Sequence, residues 1–141
     1  MNNKKYFFFH RLAMLVFVSF LSSVNVSAQQ MELEQKVTAM PGWKIMQDGR
    51  QGNCITCHTI YLSEKSIKEK QGNFAPPLSK VGAKYSPDQL RQWVTDARRM
   101  NPETLMPPYG SQTNINNPNI PKPILDSQQI NDVVEVLVML K

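Results

Sequence analysis

The sequence predicts an all-α domain with long irregular loops, and three observations carry that expectation. Two stretches place apolar residues at helical spacing, one of them behind a capping box. The segments between them are rich in proline and asparagine, which break helices and favour turns. No stretch alternates apolar and polar residues convincingly enough to predict a strand, and no internal repeat is visible.

The first 28 of the 141 residues read as a leader rather than part of that domain. Lys4, Lys5 and Arg11 precede an apolar run from Leu12 to Val18, a weaker tail to Val26, and Val26-Ser27-Ala28 before Gln29. Basic, then apolar, then small residues is the order of a secretory signal peptide, with cleavage expected after Ala28. The apolar run is too short to cross a hydrocarbon core of roughly 30 Å. The expected mature chain, residues 29–141, is therefore one small exported domain with no membrane attachment after cleavage. Without the leader's three basic residues, 13 basic face 11 acidic, and the net charge drops from +5 to +2. The remaining basic residues are dispersed, with no interleaved aromatic stripe, which excludes nucleic-acid binding.

Residues 31–39 read as a further turn or a frayed helix start. Residues 41–51, PGWKIMQDGRQ, predict a short helix with Pro41 at an early position and Trp43 and Met46 on one face. Residues 59–74, with alternating lysine and glutamate, predict a solvated loop or exposed turn. NFAPPL at 73–78 predicts an extended segment, because each proline biases its predecessor away from helix. Ser86 and Gln89 make a capping box, Pro87 takes the first helical position, and Leu90, Trp93, Val94 and Ala97 share a face, so a helix is expected to run to about Met100. Residues 110–123 predict a long irregular loop. A last helix is expected from Asp126 or Ser127, burying Ile130, Val133, Val134, Leu137 and Met139 or Leu140.

Both cysteines and the one histidine outside the leader fall in CITCH, residues 54–58. A dithiol redox site would want a strand before the motif and a βαβ pattern around it. Zinc would want four ligands, and three are present. A Cys54–Cys57 disulfide would close a tiny loop and restrain little of the unfolded chain. C-x-x-C-H is the signature of covalent c-type haem attachment, with Cys54 and Cys57 forming thioethers and His58 the proximal iron ligand. Such a haem, haem c, would also give so short a chain an apolar centre to fold around.

With His58 the only imidazole left, the second axial position falls to methionine, lysine, water or nothing. Met31 lies near the expected new N-terminus, Met40 and Met46 shortly before the motif, Met100 at a helix end and Met139 on an apolar helical face. Met106 lies in PETLMPPY, where Pro102, Pro107 and Pro108 stiffen the chain and can hold a thioether in place at little entropic cost. Met106 is the expected distal ligand. Arg98 and Arg99 read either as part of a partner surface or as charges suited to a helix C-terminus.

The order of helix, C-x-x-C-H, Pro-Leu segment, middle helix, methionine loop and C-terminal helix resembles class I cytochrome c. That resemblance implies a crossing of the helix near Trp43 with the last helix at Val133 and Leu137. It also implies that the Pro76 carbonyl, within APPL at 75–78, accepts a hydrogen bond from the His58 ring; this chain has Ala75 where the family usually has glycine. More narrowly, GNCITCH, GNFAPPLSKVGAKY, DARRMNPETLMPPY, KPIL and DVVEVL, in that order, resemble the SoxX family. These are monohaem cytochrome subunits of SoxAX, the periplasmic L-cysteine S-thiosulfotransferase of thiosulfate oxidation. The resemblance implies a SoxA partner, transient contact with the SoxYZ carrier, and a small soluble cytochrome c as electron acceptor. It implies an electron-transfer role without catalytic residues or activity of its own, because both thiols are consumed by the haem. A free monohaem shuttle, or a haem with an open iron site, are the other readings the residues allow.

Overall fold

Pro41 begins the helix on which the arrangement turns. A computed structural model of the chain describes residues 28–62, 70–112 and 123–141. The leader expected at residues 1–28 falls, but for Ala28, outside them, as do the charged stretch at 63–69 and most of the Asn/Pro-rich loop, residues 113–122. Residues 28–39 are helical (α1), where the sequence suggested only a turn or a frayed start. Helix α2 spans Pro41–Gln47, with proline in its first turn, where a missing N–H costs nothing. It ends four residues earlier than the expected 51, because Asp48 leaves the helix in an extended conformation. Helix α3 spans Val81–Lys84, α4 spans Pro87–Asp96 and α5 spans Ser127–Met139. A 3₁₀ turn, Ala97–Arg99, continues α4 to the boundary expected near Met100. Among the described residues there is no strand.

The caps explain where α4 and α5 begin. Ser86 accepts from the Gln89 N–H while the Gln89 side chain accepts from the Ser86 N–H, the reciprocal pair expected from sequence. Asp126 and Gln129 make the same pair at α5, at 2.8 and 3.0 Å. That box went unread in the sequence, although the start of α5 did not.

Residues from Glu34 onward form one compact unit in which α5 touches α2, α3 and α4. Its buried face carries Ile130, Val133, Val134 and Leu137, as the spacing predicts, and also Val136. Leu140 rather than Met139 is buried at the end. The α2–α5 crossing is backbone on backbone. A Cβ built on Gly42 would lie 2.0 Å from the Asp132 carbonyl oxygen and 2.8 Å from the Val133 nitrogen, so only glycine permits the approach. Trp43, Ile45 and Met46 are buried on the same short helix. At the other end of α5, the Gly82 N–H donates to the Leu140 carbonyl at 2.8 Å and seats α3.

Gly42→Ala should therefore destabilise the fold by about 1–3 kcal/mol, the usual cost of forcing extra volume into a packed interior. Gly49→Ala, whose added Cβ meets nothing within 4 Å, should stay within about 0.5 kcal/mol of the parent. Chemical denaturation of both variants reads the difference, and equal effects would remove the crossing as its cause.

Candidate haem site

The turn that delivers the cysteines is organised by Asp48. Its carboxylate accepts from the Arg50 N–H and from the Gln51 amide, each at 2.8 Å, and these bonds hold its carboxyl below the usual carboxylate range. Its carbonyl accepts from Gln51 and Asn53. Asn53 then takes the left-handed conformation (φ 48°, ψ 30°), which asparagine tolerates better than most residues. From there Cys54–Thr56 form a 3₁₀ turn, and the Cys57 and His58 N–H groups both reach back to the Cys54 carbonyl. The two thiols and the imidazole are thereby set one turn apart on a single short segment.

A second strip of chain lies alongside. Gly72, Ala75 and Leu78 donate their N–H groups to the carbonyls of Ile55, Cys57 and Thr59 at 2.8–2.9 Å. A Cβ at residue 72 would fall 1.8 Å from the Thr56 oxygen, so glycine is required there too. The Gln71 side chain bonds both the N–H and the carbonyl of Ile60, burying Ile60 within a stretch that the sequence marked as solvated. This stitching carries the Pro76 carbonyl to 2.6 Å from His58 Nδ1. A carbonyl only accepts, so Nδ1 holds the proton and Nε2 keeps its lone pair. Ala75 in place of the family's glycine leaves that bond intact.

Cys54, Cys57, His58 and Met106 all line one cavity of about 570 Å³, a size typical of cofactor sites. Met46, fully buried on α2, borders the same space, a placement that position in the chain did not reveal. So do Leu90, Val94, Val133 and Leu137, making the lining mainly apolar. Met100, by contrast, stands at the surface. Phe74 and Leu105 belong to the lining and are 72% and 79% exposed, which places them at the mouth.

The chemistry of the lining fits a haem. The cysteines are unbridged. Burial pushes the Cys54 thiol up to about 12, so it is protonated at neutral pH, the opposite of what a redox dithiol needs. No cluster of three or more histidine, cysteine or acidic side chains suited to a metal ion occurs among the described residues, which disfavours zinc. The Trp93 indole nitrogen is buried and without a hydrogen-bond partner, and Trp93, Lys80 and Lys84 all border the cavity. A haem bears two carboxylates, and these donors suit them. Cys54 and Cys57 would hold the group covalently, His58 and Met106 would face its iron, and the bound group would supply a one-electron centre. Trp93, Lys80 and Lys84 were missed as site residues because a buried indole and two lysines carry no distinguishing spacing.

A family model described as Cytochrome c matches residues 39–141. The chain belongs to the cytochrome c family. Membership and the Cys54/Cys57 pair together imply covalent haem c. A chain of the crystal structure of SoxXA from P. pantotrophus is similar to this one at 34% identity, with a TM-score of 0.59, covering 71% of this chain and 79% of that chain. The protein is thus a cytochrome c electron-transfer domain resembling SoxXA. Among curated protein sequences no match is found.

The distal loop leaves α4 at Asp96, whose carboxyl is held down to about 2, first by its hydrogen bonds to the Arg98 guanidinium. Arg98 is thereby engaged with Asp96 rather than acting only as a surface charge. Because the folded value lies below the ordinary aspartate value of 3.8, the stabilisation is complete well above pH 4 and is lost as pH falls towards 2. The difference in unfolding midpoint between the parent and Asp96→Asn should therefore be largest near neutral pH and shrink below pH 4. A difference that held constant down to pH 2 would exclude the carboxylate as its source.

Proposed function

We propose that this chain is the electron-transfer haem c subunit of an exported, periplasmic SoxAX complex. In this reading SoxA is its heterodimer partner. Thiosulfate is joined to the SoxYZ carrier cysteine by the complex, and a small soluble cytochrome c takes the electrons onward. The observation that carries it is the likeness to SoxXA from P. pantotrophus over most of both chains. The geometry supports the division of labour. Both thiols line the cavity that would take the haem, so once they are spent as thioethers no free thiol remains to carry a sulfur adduct. His58, fixed through Pro76, serves as proximal ligand and Met106 as distal ligand. Phe74 and Leu105, exposed at the mouth, provide apolar surface of the kind used in partner contacts.

Met46 also borders the cavity, so the distal assignment is tested with both methionines. The ferric parent should show the weak near-infrared sulfur-to-iron band, and Met106→Ala should abolish it. Met46→Ala should keep the band while losing about 2–5 kcal/mol of stability, as buried methionines do on truncation. A band that survives Met106→Ala would remove Met106 from the iron.

The role in the complex is tested by isolation from the native periplasm. The haem protein should co-purify with a larger cytochrome and become reduced on addition of thiosulfate and the carrier protein. Isolation only as a free monomer, with no thiosulfate-dependent reduction, would favour a free monohaem shuttle instead.

A further inference from the structure

Asp96 is the one buried charged residue among those described, 3% exposed. It leaves α4 in an extended conformation (φ −158°, ψ 91°) at the point where the chain departs towards Met106. One carboxylate oxygen accepts from Arg98 Nε at 2.7 Å and from the Arg98 backbone N–H at 3.3 Å. The other accepts from an Arg98 terminal nitrogen at 2.8 Å. The Ser111 side chain also hydrogen-bonds the carboxylate, from fifteen residues further along. Beside that link, the Gly110 N–H donates to the Thr95 carbonyl at 3.0 Å. Thr95 and Asp96 are thus joined to Gly110 and Ser111, and the two links close the base of a loop, residues 97–109, that carries Met106.

Bonds inside the loop are short in range. Asn101 reaches back to Ala97, Thr104 to Asn101, and the Met106 N–H to the Thr104 hydroxyl at 3.2 Å. These bonds shape the loop locally. The ties to the body lie at its base, where the Tyr109 carbonyl accepts from Leu125 and Asp96 receives Ser111. Burying one partner of a charge pair, as Asp96 is buried while Arg98 stays part-exposed, costs desolvation that offsets much of the attraction. A directional clasp is a good device for fixing where a loop begins and ends.

We propose that Asp96 is a positioning residue for Met106, its clasp to Arg98 and Ser111 setting how often the loop opens and Met106 leaves the cavity. This rests on Met106 being the distal ligand. An added nitrogen ligand such as imidazole binds only when the loop is open, so its affinity is reduced by the fraction of time the loop is open, and loosening the clasp raises that affinity.

The experiment is an imidazole titration of the ferric holoprotein, followed in the visible and near-infrared, with global unfolding measured on the same samples. Asp96→Asn should raise the affinity roughly tenfold or more, the effect of losing a charge-assisted hydrogen bond. Ser111→Ala, which removes one partner and leaves the carboxylate paired with Arg98, should raise it roughly two- to tenfold and serves if Asp96→Asn does not fold. In a Met106→Ala background, neither substitution should change imidazole affinity, because no methionine remains to be displaced. An equal increase in that background would overturn the proposal, as would unchanged affinity in both single variants. If Met106→Ala alone leaves the near-infrared band and imidazole affinity unaltered, the ligand reading itself is overturned, and the positioning role with it.

Discussion

The direct contact of α2 with the backbone of α5 at Gly42 is the constraint from which the site follows. A helix of seven residues has too little surface to hold its position by side-chain packing alone. Removing the Cβ lets its backbone meet Asp132 and Val133, and it turns Trp43, Ile45 and Met46 inward in one step. Asp48 then ends the helix and folds the next five residues into the turn that presents Cys54, Cys57 and His58. The Gln51 side chain accepts from Gln129, near the start of α5, so the turn is tied to the helix that α2 already rests on. Displacing α2 would move the cysteines with it.

The two sides of the cavity are held by different means. On the histidine side, backbone hydrogen bonds from residues 72, 75 and 78 brace the segment, and the Pro76 carbonyl fixes the tautomer of His58. That bond leaves Nε2 available as a donor of its lone pair and fixes the orientation of the ring. On the methionine side, prolines restrict the backbone of the loop while Asp96, Arg98 and Ser111 secure its base. One side is therefore rigid through many small bonds, and the other through a few strong ones near its ends. Local opening favours segments with few ties to the body, which is the reason to expect the methionine side to yield first.

Much of this architecture was legible in the residues. The capping box of α4, its proline and its apolar spacing act over a few positions and survive any tertiary context, so the helix lies where they place it. The same is true of the apolar face of α5. The C-x-x-C-H spacing announces its chemistry because thioether attachment demands it locally. Helix α3 carried no such signal. Four residues cannot sustain a helix by propensity, and this one is seated by a bond from Gly82 to the far end of α5. Burial of Ile60 in an otherwise polar stretch likewise depends on Gln71 arriving from eleven residues away.

By itself the sequence determined the helical class, the positions of α4 and α5, and the C-x-x-C-H segment that borders the cavity, because periodicity, capping and motif spacing are short-range chemistry. Tertiary structure alone decided that Met46 as well as Met106 borders the cavity, that an unpartnered Trp93 N–H and two lysines share its wall, and that Asp96 is buried and paired with Arg98. Each of these depends on segments that meet from distant parts of the chain, and a pairing between distant segments is settled by packing and mutual hydrogen bonding, which leave no periodic trace in either segment alone.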